Sequence, residues 1–195
     1  MPGHDPEGLS ELPAYRISYR DVRYPRLELK RGTLLVVMPR SARGEPAEVI
    51  RKHRLWVEKR QNAIEAALRE ASTRTLDTRR SEEEFREIVR EQARSSSARL
   101  GCEIGKVFFR RMRSKWASCS KQRNLTFNRY LCFLPQRLIE YVVYHEVAHV
   151  GNRNHDARFW QVLQKEFTDS NRRERELLAY WFLLQKAIRA QEIHL

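Results

Sequence analysis

The stretch His145-Glu146-Val147-Ala148-His149, followed six residues later by His155, constrains this chain more than any other. On a helix, residues 145 and 149 stand four apart, so both imidazoles leave one face and can close on a single metal ion. Glu146 leaves the helix beside that axis, near enough to take a proton from a water in the site without capping the ion. The residue types suit such a site, because neutral imidazoles favour zinc and three protein ligands leave one coordination position open. With 6 histidines in 195 residues, a chance H-E-x-x-H is expected in roughly 2% of such chains, and a third His at a set offset lowers this about thirtyfold.

The surroundings of the motif favour burial. Leu138, Ile139, Val142, Val143, Val147 and Val150 make this helix apolar nearly all round. Two histidines and a glutamate in such a setting need partners, and one metal ion is the simplest common one.

The third ligand has two candidates. The spacing from His149 to His155 is the one metzincins use, where Gly at the third position after the second His lets the chain turn back under the metal. Here that position is Asn152, preceded by Gly151. Asn tolerates a left-handed conformation better than other non-glycine residues, so the same turn remains available. No Met follows His155, which argues against a metzincin Met-turn. The gluzincin alternative draws its ligand from a glutamate on a later helix, with Glu166, Glu174 and Glu176 available. His155 is the preferred ligand because it needs no further tertiary contact.

Upstream, Ile17 and Tyr19, Leu27 and Leu29, and the run Leu34 to Val37 predict strands, the middle one beginning at Pro25 or lying at an edge, with a turn at residues 30–33. Ile50, Val57, Ile64 and Leu68 predict one long helix from Pro46 to Ser72. Thr73 to Arg80 reads as a linker, and Ser81 with Glu84 as the capping box of a helix that Gly101 ends. Val107 to Phe109, Leu125 to Phe127 and Tyr130 to Phe133 are expected as strands of a small antiparallel sheet, with Pro135 opening the metal helix. An edge strand beside the metal could align an extended peptide over it. Trp116, Phe159 and Trp160 are expected to pack around the site, and Asp156 to support the start of the following helix. Leu177, Trp181, Leu184 and Ile188 form an apolar stripe on a C-terminal helix.

Residues 1–13 contain no apolar core segment of a signal peptide, and no run approaches the ~20 residues of a membrane span. Cys102, Cys119 and Cys132 are odd in number and widely spaced, which suits reduced thiols and a cytoplasmic location. The formal net charge is +13, and Ile104 to Ile139 holds nine Lys or Arg and no acid. Such a block can meet nucleic acid, another anionic partner or an acidic protein substrate.

Arg113-Ser114-Lys115-Trp116-Ala117-Ser118-Cys119-Ser120, Asn124 to Asn128, Tyr141 to Glu146, and Asn154-His155 with Phe159-Trp160 together resemble the YgjP-like (DUF45) metallopeptidase family. The resemblance is strongest from Val107 to Phe167. It implies a zincin-like metal-dependent hydrolase with His145, His149 and His155 as ligands and Glu146 as catalytic base. The sequence departs from the family at Ala117, where Gly is usual, and no catalytic role passes to Ser118 or Ser120.

The expected architecture is therefore an α+β, zincin-like fold. A flexible N-terminus (1–13) precedes a β-rich hairpin and helix lobe (14–80) and a metal-binding region (81–195) whose C-terminal helices carry the site. The expected activity is zinc-dependent peptide hydrolysis of a peptide or protein substrate. A nucleotide or phosphoester hydrolase, and a DNA-associated protease or nucleic-acid-binding module, are the alternatives.

Overall fold

Pro25 cannot donate to a ladder, and the strand that follows it begins at the next residue and runs along a sheet edge. A computed structural model describes residues 14–30 and 33–193; segment 1–13 and the centre of the 30–33 turn lie outside the described residues. The chain divides into two compact units on either side of the Ala66–Ala67 bond. The first holds β1 (Tyr15–Arg20), β2 (Arg26–Lys30), β3 (Thr33–Pro39), α1 (Pro46–Lys52) and most of α2 (Arg54–Ala71). β3 is central, parallel to β1 and antiparallel to β2. Leu34, Val36 and Met38 point to one face at the two-residue period of a strand and pack on Ile50 and Val57.

The single helix expected from Pro46 to Ser72 is two helices. At His53 the backbone leaves the helical region (φ −115°, ψ 24°) and its N–H bonds Ile50 O at 3.0 Å, a tightened last turn. Arg51 to Trp56 are all exposed, so no buried side chain holds that turn in register. Leu68, expected in the buried stripe, is also exposed.

The second unit contains α3 (Glu82–Leu100), β4 (Val107–Arg110), β5 (Ala117–Cys119), β6 (Leu125–Asn128), a 3₁₀ turn (Arg129–Phe133), α4 (Gln136–Gly151), α5 (Ala157–Glu166) and α6 (Ser170–Arg189). α3 is bounded as its sequence directs. Ser81 Oγ accepts from the Glu84 N–H at 3.1 Å, and Gly101 takes the left-handed conformation (φ 59°) that ends the helix. Segment 73–80 is fastened to the core. The Asp77 N–H donates to Phe133 O at 2.9 Å, and the Arg80 guanidinium donates to Cys132 O and Leu134 O at 2.6 and 2.8 Å.

Two expectations for the second sheet need correction. Its order is β4-β6-β5, with β4 parallel and β5 antiparallel to β6, so the sheet is mixed rather than antiparallel. Tyr130 to Phe133 form the 3₁₀ turn, not a strand. Asn128, fully buried, causes the change of direction. Its Oδ1 accepts from the Tyr130 and Met112 N–H groups, and its Nδ2 donates to Met112 O and Lys115 O, both at 2.9 Å. This uses every bonding position of the amide at the end of β6.

β5 is an edge strand and lies against α4. The main core of this unit gathers Phe85 and Val89 of α3, Leu125 and Phe127 of β6, Leu138, Ile139, Val143 and Val147 of α4, and Phe159 and Leu163 of α5. The C-terminal stripe lies partly within it: Leu177 and Leu184 are buried, while Ile188 packs at its border. Among the described residues, no helix is long and apolar enough to cross a membrane.

Candidate metal centre

From Tyr141 to Val150, α4 sets His145, Glu146 and His149 among apolar and aromatic side chains. Leu138, Ile139, Val143 and Val147 are fully buried and fix the helix axially, while His145, Glu146 and His149 face the cleft beside β5. The helix ends at Gly151, and Asn152 continues in extended conformation (φ −143°, ψ 108°) rather than in the left-handed one open to Asn. A short loop then returns His155 to the helix. The three Nε2 atoms converge: His145 to His155 is 2.9 Å, and His149 lies 3.2 Å from each.

The donor chemistry fits a metal ion. The Nδ1 of His149 lies 2.9 Å from the backbone oxygen of Asn152, which can only accept, so Nδ1 carries the proton and Nε2 presents a bare lone pair. A tetrahedral zinc with Zn–N bonds of ~2.0–2.1 Å holds its nitrogens about 3.3 Å apart, close to the observed triangle. Among the described residues, these three form the group of His, Cys, Asp or Glu side chains with metal-ligand spacing.

Burial, with help from His149 and His155, lowers the His145 pKa to about 3. Burial also lowers that of His149; the bond to Asn152 opposes the shift and His155 reinforces it. Both rings are thus neutral, the form that ligates metal. Glu146 is pushed up to about 7 by burial, with a smaller upward push from Glu174; Lys115 and the Cys119 backbone amide pull it down. Burial thus favours its protonated form more than for an ordinary glutamate.

The supporting shell is only partly visible in the sequence. Phe159 lies against all three imidazoles, with ring centroids 4.9, 4.5 and 4.8 Å from His145, His149 and His155. Trp160 donates its indole N–H to His155 O at 3.1 Å. Asp156 caps α5 by accepting from the Phe159 N–H at 3.0 Å, and also accepts from Asn152 Nδ2 at 2.7 Å. Asn152, which the sequence marks only as a turn residue, thereby ties the end of α4 to the start of α5. Trp116 packs edge-on against Trp181 of α6 at 4.9 Å.

The glutamates weighed as alternative ligands lie elsewhere. Glu166 bonds Arg99, and Glu176 is buried among Arg137, Arg74 and Arg172. Glu174 is nearer, yet it faces the outer nitrogen of His145: its Oε1 is 3.8 Å from Nδ1 and accepts from Tyr141 OH at 2.7 Å. Tyr141 stands one helical turn before His145, a spacing that could have flagged it.

A cavity of about 330 Å³ opens over the cluster, lined by His145, Glu146, His149 and His155 together with Lys115, residues 117–121 and Arg153. Ala117 sits in β5 with ordinary extended geometry, which Ala adopts without strain. The thiols are held toward their protonated form. Cys119 is raised by burial and by the charge of Glu146, and Cys132 is pushed up to about 12, chiefly by burial.

Residues 69–180, more than half of the chain, match the family described as YgjP-like, metallopeptidase domain. The chain belongs to this family. Two solved structures are also similar to this YgjP-like chain. The metallopeptidase zymogen abylysin of Pyrococcus abyssi is 21% identical with a TM-score of 0.39, over 53% of this chain and 95% of that one. The metallopeptidase zymogen jannalysin of Methanocaldococcus jannaschii is 28% identical with a TM-score of 0.39, over 48% of this chain and 84% of that one. Comparison with curated proteins finds no match. Family membership places the YgjP-like chain among the metallopeptidases.

Proposed function

We propose that this YgjP-like protein is a zincin-like, zinc-dependent peptidase in which His145, His149 and His155 hold the ion and Glu146 is the general base. The observation that carries the reading is the convergence of three Nε2 atoms within 3.2 Å beside a buried carboxylate of raised pKa. A bound zinc supplies polarisation of the scissile carbonyl and a lowered pKa for the attacking water. The chain's own residues do the rest. The Glu146 carboxylate takes one proton from water as the hydroxyl adds to the carbonyl carbon. It returns that proton to the amide nitrogen as the C–N bond breaks, leaving a carboxylic acid and an amine, between which the remaining hydroxyl proton passes to give carboxylate and ammonium. Edge strand β5 offers backbone groups beside Glu146 along which an extended peptide can lie. Three unpaired cysteines support a reducing, cytoplasmic setting.

The test compares zinc content and peptide hydrolysis in wild type, Glu146→Gln and His155→Ala. The reading expects about one zinc per chain in wild type, zinc retained with turnover abolished in Glu146→Gln, and zinc lost or much weakened in His155→Ala. Unchanged turnover in Glu146→Gln removes it as the base. Full zinc retention in His155→Ala moves the third ligand to a glutamate.

A further inference from the structure

The acid-free basic stretch of the sequence is put to two different uses. Arg129 and Arg137 are committed to structure, bonded to Glu82 and Glu176. Lys115 and Lys121, at the two ends of the segment containing β5, line the cavity over the histidines instead. A third cation, Arg153, reaches the same cavity from the loop after α4, and its guanidinium donates to Lys121 O at 2.9 Å, joining the two sides of the opening. Among the described residues, none of these three cations takes part in an ion pair within 4.0 Å. The single carboxylate in the lining is Glu146, which is buried; apart from the histidines and the cations, the lining is Ala117, Ser118, Cys119 and Ser120, all small.

We infer that the site selects peptides carrying an Asp or Glu side chain next to the bond that is cut, with Lys121 and Arg153 as the residues that read that charge and Lys115 adding to the same field. This rests on the peptidase reading above and deepens it. Two physical effects act together. An acidic side chain entering between Lys121 and Arg153 gains charge-assisted bonds that water-exposed cations otherwise lack. A Lys or Arg side chain in the same place meets uncompensated like charge, so basic peptides are rejected as well as acidic ones favoured. Both cations are exposed, so binding costs little desolvation and the selectivity falls with added salt. Lys121 makes no side-chain bond that the fold depends on, so changing it leaves the metal cluster untouched.

The experiment digests a mixed-sequence peptide library with zinc-loaded wild type, Lys121→Glu and Arg153→Glu, and reads the residues flanking each cleaved bond by mass spectrometry. Alongside it, Glu146→Gln, which should bind without cutting, is titrated with an acidic peptide, its Ala-substituted counterpart and single-stranded DNA, at low and high salt. We expect at least about fivefold enrichment of Asp or Glu beside the cut bond. The enrichment should weaken at high salt and be lost or turned toward Lys and Arg in the charge-reversed variants, with cleavage of neutral sequences within about threefold of wild type. Charge-blind cleavage, or the same acidic preference in Lys121→Glu, overturns the inference and leaves the peptidase reading standing. If wild type cuts no peptide, the peptidase reading fails, and the binding titration decides this one alone. Equal affinity for the acidic and Ala peptides, or tighter binding of the DNA than of the acidic peptide, overturns it.

Discussion

The Nδ1–H of His149 ends on the backbone oxygen of Asn152, 2.9 Å away, three residues on and just past the end of α4. That bond selects the tautomer whose Nε2 lone pair faces His145 and His155, and it exists because the chain leaves the helix in extended conformation at Asn152.

Asn152→Ala is expected to weaken zinc binding by about 10- to 100-fold while the protein stays folded. The side chain holds the loop by donating to Asp156 Oδ1 at 2.7 Å and accepting from the Asn154 N–H at 3.3 Å. Competition against a chromogenic chelator measures the loss. Wild-type affinity in the variant would show that the loop holds its shape without this amide.

Phe159 has no exposed surface and touches all three imidazoles, so its removal acts on both stability and the site. Phe159→Ala should cost about 3–5 kcal/mol of stability. Phe159→Leu should cost under about 1.5 kcal/mol, yet it replaces a flat wall with a branched one and should lower zinc affinity. Denaturant unfolding of the metal-free protein, set beside the chelator competition, separates the two effects. Full affinity in Phe159→Leu would reduce Phe159 to core filling.

Glu82 supplies a pH dependence away from the metal. Burial raises its pKa, but the bonds from Arg129 and Arg86 outweigh that and hold the carboxyl below the ordinary glutamate range. A depressed folded-state pKa means that the unfolded chain binds the proton more readily. Stabilisation is then present above about pH 4.5 and is lost as the pH falls through the folded value. Glu82→Gln should therefore be less stable than wild type at pH 7 by about 0.5–1 kcal/mol, with the gap closing in acid. Unfolding curves at pH 7 and pH 3 test this; a gap that persists at pH 3 would trace the effect to packing instead.

Gly105 has no room for a side chain. A Cβ there would run into the Asn124 side chain and the Gln122 carbonyl. Asn124 Oδ1 accepts from the Lys106 N–H at 2.7 Å, and the Gly105 N–H donates to Arg123 O at 2.9 Å. Gly105→Ala should cost about 1–3 kcal/mol. It should also disturb the Ser120–Asn124 turn that follows β5, lowering peptidase activity more than zinc content. Melting temperature, metal analysis and hydrolysis measured together check the order of these effects.

The arrangement of this site is readable where spacing along one helix fixes it. His145, Glu146 and His149 need only the four-residue repeat of α4, and the aromatic character of Phe159 and Trp160 points to packing around His155. What escapes the sequence depends on bonds between distant residues. Tyr130 to Phe133 carry strand-like residues, yet Asn128 turns them into a 3₁₀ turn through partners more than ten residues upstream. The parallel pairing of β4 with β6 skips the strand between them, which no local pattern reports. Asn152 stands out in the sequence for its tolerance of a left-handed backbone, while its actual use is an extended one with a carbonyl aimed at His149. At His53 the apolar repeat runs on through a turn that nothing buries.

α4 carries His145 and His149 on one side and is packed by α3, β5, α5 and α6 around its circumference. Val143 and Val147, which have no exposed surface, therefore help set the angle at which two imidazoles enter the cleft. A methyl group lost or gained beneath the helix would shift the cleft residues as a body, so the sequence freedom of this core is bounded by the tolerance of a coordination polyhedron rather than by folding alone.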